Sequence, residues 1–392
     1  MALPGVHITL GNGSLGQAAS YDDGVAGLIL TGSAITGKLE LNKHYLLGST
    51  KDLITLGISF ENNPLIDKEV KAFYSQCGEG AELHLLVVSA ATTLTTMCDP
   101  AEGSPISTLI QSGGGRIRLL GLNKISPAEY VATLTHGIDE DAITAASKAQ
   151  QVADSFASKI MPFRIFMPAP AWNGTTDTLF KPNESSYNRV AFVLASDAKV
   201  SNVYPAAIGM VLGRAAKAEA QQCLGRVRFG SLASQGYFTS GHDFLEKGAL
   251  SQALDAAGYI FFINYPSKNG CYLNGNPMAT PATDDYCELN NGRIIDKAMC
   301  ITYNTYISEI MDNVEVDEMG ALSSGVCKNF EGMIENAINA SMGNQISSFS
   351  AYVNPKQNVL STKTLEIACS IVPLGVLKRI EVTLAFSNPA RG

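Results

Sequence analysis

Two glycine-rich stretches carry the spacing of phosphate-binding loops. Gly32-Ser33-Ala34-Ile35-Thr36-Gly37-Lys38 has the GxxxxGK form and follows the apolar run 24–31. In a P-loop the backbone N–H groups cradle phosphates, the lysine reaches them, and the next Ser or Thr holds magnesium. Here the next residue is Leu39, and the following KLELNKHYLLGS alternates like a strand instead of opening the helix that chemistry needs. No apolar run ends in an aspartate placed for the metal. Gly11-Asn12-Gly13-Ser14-Leu15-Gly16 has the GxGxxG form after the β-favouring residues 6–10. A dinucleotide fold needs a helix N-terminus there to meet the pyrophosphate. QAASYDDG is too short and too glycine-interrupted to supply one. Both loops therefore read as turns or linkers.

Nucleophile and metal chemistry fare no better. None of the five histidines, His7, His44, His84, His136 and His242, forms HExxH. His7 and His84 fall inside expected strands, where they read as packed side chains. The eight cysteines are scattered from Cys77 to Cys369 without a CxxC pair. That excludes a sequence-legible zinc site or disulfide framework and reads as reduced thiols in a protein made in the cytoplasm. No catalytic, metal or cofactor residue is assigned, and no cofactor is expected.

Composition points away from the usual substrates as well. Over 392 residues the hydrophobic share is 46% and the formal net charge is −8. Without a cationic footprint, nucleic acid is not an expected partner. Charged residues make up only 16%, against roughly 25% in average soluble proteins. Burying surface against other chains relieves such a deficit, because interface cores are depleted of charge. The opening MALPGVHITL has no basic start or apolar core of a secretory signal. The most apolar run, YIFFINY at 259–265, is too short to span a bilayer and reads as a buried strand.

The elements that would position any site alternate. Strands are expected at 24–31, 82–89, 116–121, 163–167 and 190–195. Helices are expected at 64–76, at 139–160 capped by Asp139, and from Pro205 to about 222. Two longer helices follow at about 293–310 and 319–342, the second with Leu322, Val326, Phe330, Met333 and Ala337 on one stripe. Near the C-terminus Leu365, Ile367, Cys369 and Ile371 alternate with polar or small residues. Beyond Pro373-Leu374-Gly375, so do Ile380, Val382, Leu384 and Phe386. These are two period-2 strands, and the last lies as close to its terminus as 6–10 lies to the other. The fold class is mixed α/β and α+β.

With two terminal strands and no catalytic furniture, the sequence resembles the sheath proteins of contractile phage tails, R-type pyocins and related injection machines. Pro4-Gly5-Val6-His7-Ile8 is similar to that family's opening strand. Residues 63–89 resemble its helix-to-strand unit, 254–276 its glycine-rich region, 292–310 its paired-helix region, and 364–386 its closing strands. Asn276-Pro277 stands where an Arg-Thr pair is usual, and 90–250 matches by element order alone.

The resemblance implies a multi-domain subunit. It would have an N-terminal arm at 1–20, an outer and middle α/β domain at 21–262, an inner domain at 263–374 and a C-terminal arm at 375–392. Val6, Ile8, Leu10, Ile380, Val382, Leu384 and Phe386 would lie on strands donated to neighbouring copies. Gly11, Gly13, Gly16, Pro373 and Gly375 would form the arm linkers. Lys328, Glu331 and Glu335 would offer a polar face to an inner tube. The implied partners are further copies of the chain in stacked rings, the tube, and baseplate and tail terminator proteins, with no membrane insertion. The implied location is a phage tail or related particle made in a bacterial host cytoplasm. The competing readings are another capsid-like or filament protein, and a nucleotide-dependent α/β enzyme.

Overall fold

A computed structural model describes residues 23–318 and 320–386 of the chain. The first strand, β1 (Ala26–Gly32), is the apolar run before the GxxxxGK loop. A turn leads to the short β2 (His44–Leu47). Helix α1 (Pro64–Cys77) starts on a proline, whose missing N–H costs nothing in a first turn. Next come β3 (Leu83–Ser89), α2 (Pro105–Ser112) and β4 (Leu119–Asn123). Helix α3 (Glu140–Ala157) is capped by the Asp139 side chain, as expected, and buries an alanine-rich face with Val152 and Phe156. Strands β5 (Arg164–Pro168) and β6 (Val190–Val193) follow. Then come α4 (Ile208–Lys217) and β7 (Tyr259–Ile260).

These strands form one sheet in the order β7-β6-β5-β4-β1-β3-β2. All neighbours are parallel except β2, which runs antiparallel on β3. The strands read as near-continuous apolar runs because both faces are covered. Gly27 on one face meets Leu109 of α2, while Gly121 on the other meets Ile208 of α4. Helices α1 and α4 share the second face and pack against each other.

The apolar run at 259–265 does not form one strand. Tyr259 and Ile260 close the main sheet, and Phe262–Ile263 turns away to pair with Tyr272–Leu273. Cys271, Leu273, Met278 and Ala279 remain within the same large core, beyond the expected boundary at 263.

The rest of the described chain builds a smaller unit. It comprises α5 (Leu289–Tyr306), α6 (Ser324–Met342), β8 (Ile346–Val353) and β9 (Ile367–Pro373). Strands β8 and β9 form an antiparallel hairpin with an irregularity between Ile346 and Ser348. Ile294, Ala298 and Ile301 of α5 pack with Ile334, Ile338 and Met342 of α6 under the hairpin. Helix α6 begins at Ser324, with Ser323 as its cap, later than the sequence suggests. Its buried stripe is Cys327, Phe330, Ile334, Ile338 and Met342, displaced around the helix from the expected one. Among the described residues the expected strand at 378–386 has no pairing partner: residues 374–386 carry no regular structure, and the partner of β9 is β8. A strand without a neighbour has nowhere to place its ladder hydrogen bonds.

Candidate assembly site

In a doubly wound sheet a ligand sits at the C-terminal edge where the strand order reverses, here between β1 and β4. That crevice is filled by the protein's own groups. Asn123 donates to Glu69 at 3.1 Å and to the Ala206 carbonyl at 2.6 Å. Glu69 also accepts the Gly209 N–H and pairs with Lys68 at 2.8 Å, and Lys68 pairs with Asp197 at 2.5 Å. Burial pushes the Glu69 carboxyl up, and Lys68 offsets part of that rise. Ser33 donates its N–H to Asn63 at 2.7 Å. The GxxxxGK residues form a tight turn bridged between Ile35 and Leu39, with no helix behind it. The second glycine motif, with Gly11, Gly13 and Gly16, lies outside the described residues. His84 is buried as expected, stacked on His44 across β2 and β3 and bonded to Glu82 at 2.8 Å.

A buried ionic network fixes α5 to the sheet, and sequence reading missed it. Arg164 of β5 pairs with Asp296 at 2.7 Å and donates to the Asn188 and Gly292 carbonyls at 2.7 and 2.9 Å. Gly292 must lack a side chain, because a Cβ there would strike the guanidinium. Arg189 also reaches Asp296, at 3.1 Å, and Lys297 pairs with Asp23 at 2.8 Å. Arg293 donates to the Asp23 and Ala218 carbonyls, and burial lowers its pKa to about 10. The signal that could have found the network is the polar sequence of α5, too charged for a helix lying between two apolar cores.

The hairpin unit is where the molecule is left open. Helix α6 runs beside β8. Glu335 accepts the Ala351 N–H at 3.1 Å, and Glu331 accepts the Val353 N–H at 2.9 Å. Lys328 holds the other Glu331 oxygen at 2.5 Å. Its hydrogen bond, followed by that of Val353, keeps the Glu331 carboxyl below the usual carboxylate range. These are the three residues expected to offer a polar face to a tube. Lys328 is exposed, but Glu331 is only 5% exposed and both carboxylates are bonded to the β8 backbone.

Since Ala351 and Val353 face outward from β8, their cross-strand partners Cys369 and Ile367 face outward from β9. Among the described residues, no side chain is bonded to the outward backbone of Ile367, Cys369 or Ile371. Beside that edge lies a groove of about 670 Å³ between α5 and the hairpin. Its walls include Ile294, Ile295 and Met299 of α5 with Phe349, Cys369 and Ile371.

Beyond β9, which ends on Pro373, a Cβ added at Gly375 would meet nothing within 4 Å. Lys378 then pairs with Glu288, in front of α5, at 2.6 Å. Ile380, Val382, Leu384 and Phe386 are exposed, Leu384 at 92% and Phe386 fully. Among the described residues, alternating apolar side chains without cover and a strand edge without a neighbour thus stand on the same unit. Val6, Ile8 and Leu10 lie outside the described residues.

Two family models match the chain, the DUF2586 N-terminal domain over residues 3–276 and the DUF2586 C-terminal domain over residues 285–391. No curated protein matches the sequence. Several solved structures match over nearly the whole length. The helical sheath of the anti-feeding prophage in its contracted state gives a TM-score of 0.66 at 11% identity, covering 99% of this chain and 100% of that one. The contracted PVC sheath complex of an extracellular contractile injection system gives 0.60 at 12%, covering 99% and 98%. The sheath tail protein of Desulfitobacterium hafniense gives 0.56 at 11%, covering 94% and 100%. The chain therefore belongs to the DUF2586 family and has the fold of contractile sheath proteins.

Proposed function

We propose that this chain is a structural subunit of a contractile sheath. It polymerises around an inner tube by exchanging terminal strands and shortens to drive the tube through an envelope. It is not an enzyme. The observation that carries the reading is the apolar alternation of Ile380, Val382, Leu384 and Phe386, all exposed on a segment without a strand partner among the described residues. Covering each such side chain contributes about 1.5–3 kcal/mol, and each ladder hydrogen bond about 0.5–1.5 kcal/mol. Left uncovered, the segment is an aggregation liability. A neighbour's sheet edge resolves it by β-augmentation, with main-chain bonds giving affinity and alternate side chains giving register.

The filled crevice at the strand reversal supports the same reading, since a nucleotide would have to displace Lys68, Glu69 and Asn123 from one another. Residues 263–374 form the part nearest the tube. The arms at 1–20 and 375–392 join the body through Gly11, Gly13 and Gly16 and through Pro373 and Gly375. Contraction is rigid-body movement with dihedral change concentrated at 11–20 and 373–377. The particle is a phage tail or a related machine made in a bacterial cytoplasm, with baseplate and terminator proteins at its ends.

Negative-stain microscopy of the purified chain, intact and lacking residues 1–10, tests the proposal. The intact chain forms hollow striated cylinders, and the truncated chain remains folded and dispersed. Normal cylinders from the truncation would sink the strand-exchange mechanism. Solid filaments or shells from the intact chain would favour a different assembly.

A further inference from the structure

The β8–β9 hairpin has two edges, one beside α6 and one beside the groove, and the molecule treats them differently. On the β8 edge, the N–H groups of Ala351 and Val353 are taken by Glu335 and Glu331. On the β9 edge no side chain of the described residues does this, and the mainly apolar groove over α5 lies alongside. A strand added there would sit about 4.8 Å from β9 and turn every second side chain toward Ile294, Ile295 and Met299.

We propose that Glu331 and Glu335 are edge guards: they close β8 so that the hairpin is a one-sided acceptor. Its occupant is the segment 378–386 of a second copy, laid along β9. This rests on the strand-exchange reading and adds to it which edge is used and what forbids the other. The occupant is argued from fit. Ile380, Val382, Leu384 and Phe386 alternate and are bare, while the groove is apolar along Ile294, Ile295, Met299, Cys369 and Ile371, with Asp284, Asp285 and Asn291 also in its lining. A carboxylate is a better acceptor for a backbone N–H than a neutral carbonyl, so an incoming strand gains nothing by displacing it. Charge pointed at an edge is also a recognised way to deny pairing. The guard is firm because Glu331 is buried and steadied by Lys328.

The test is amide hydrogen exchange on the full chain before and after assembly, with microscopy of the products. In the native protein Ala351 and Val353 are protected before assembly, and Cys369 and Ile371 become protected only on assembly. In Glu331→Ala with Glu335→Ala, the Ala351 and Val353 amides exchange about 10-fold faster or more, and two-sided pairing yields irregular aggregates in place of ordered cylinders. Glu331→Gln with Glu335→Gln keeps an acceptor oxygen on each side chain and restores both protection and cylinders. If the double alanine variant does not fold, Glu335→Ala alone gives the same readout at Ala351. Ordered cylinders from a folded alanine variant would overturn the guard role, as would new protection of Ala351 and Val353 on native assembly. Absence of new protection at Cys369 and Ile371 in native cylinders would instead overturn strand exchange along β9.

Discussion

The seven-stranded sheet and the hairpin unit are built on opposite plans. In the sheet, β1, β3, β4, β5 and β6 are buried on both faces, save residues at the ends of β1 and β3. Helices α1 and α4 approach so closely that a Cβ on Gly209 or Gly213 would overlap the Glu69 or Phe73 carbonyl. Charges inside are paired with one another or, like Arg214, held by the Gln76 side chain and backbone carbonyls. The hairpin strands have one covered face, one bare face and one open edge. The difference separates a body whose contacts are all internal from a unit whose contacts are unfinished. A subunit that moves as a rigid block while held to its neighbours needs both.

The sharpest way to break this comparison is to cut the joint between the two. Arg164→Ala leaves Asp296 buried with a weaker partner, and breaking a buried pair of this kind costs about 3–5 kcal/mol. The whole chain then shows a lower urea midpoint. A midpoint equal to that of the native protein would mean that the two units are stabilised independently of the network. Next in size is Gly213→Ala, which forces α1 and α4 apart at an expected cost of about 1–3 kcal/mol. It acts on the sheet, so amide protection should fall in β4 and β5 while the β8–β9 amides keep theirs.

The third change acts on the other plan. Leu384→Asp with Phe386→Asp touches no internal contact, so subunit stability stays within about 0.5 kcal/mol. Cylinder formation should nevertheless be lost, as read by sedimentation. Smaller still is the response to acid. The folded-state pKa of Glu331 is depressed by its bonds from Lys328 and Val353. Its stabilisation is therefore fully present above the unfolded carboxylate value of about 4.3 and is lost as the pH falls through the folded value. Once corrected for intrinsic rate, Val353 protection should be flat from neutral pH down to that range and then decline, and Glu331→Gln should abolish the decline. Glu335 is the other carboxylate beside this edge, so the single variant tells the two apart. Last, Lys38→Ala should change neither stability nor assembly, and calorimetry with ATP and magnesium should show no heat. Micromolar binding would restore a nucleotide role to the GxxxxGK turn.

Residue pattern alone made much of the body legible. The apolar runs, the proline opening α1 and the aspartate capping α3 are local signals, and local physics governs where such elements begin. The same reasoning dismissed the phosphate loops, because Leu39 and the strand-like run after it are themselves local. Other elements were illegible for stated reasons. Strand β8 has the weakly patterned sequence ISSFSAYV, and the irregularity after Ile346 shifts its apolar residues out of period. The run YIFFINY is apolar on every side, so nothing in it marks where it leaves one sheet for another.

By itself, then, the sequence determined most strands and helices of the body, the absence of catalytic motifs, and the two alternating stretches near Ile371 and Leu384, because each depends on neighbours along the chain. Only the tertiary structure decided that Arg164 meets Asp296, that Gly209 and Gly213 let two helices touch, and that Glu331 and Glu335 turn inward to the β8 backbone. Those outcomes join residues far apart in sequence. A glutamate on a helix looks the same in sequence whether it meets water or an unpaired N–H. Which it meets is set by where the next strand folds back, and burying a carboxylate is tolerable only where such donors are waiting.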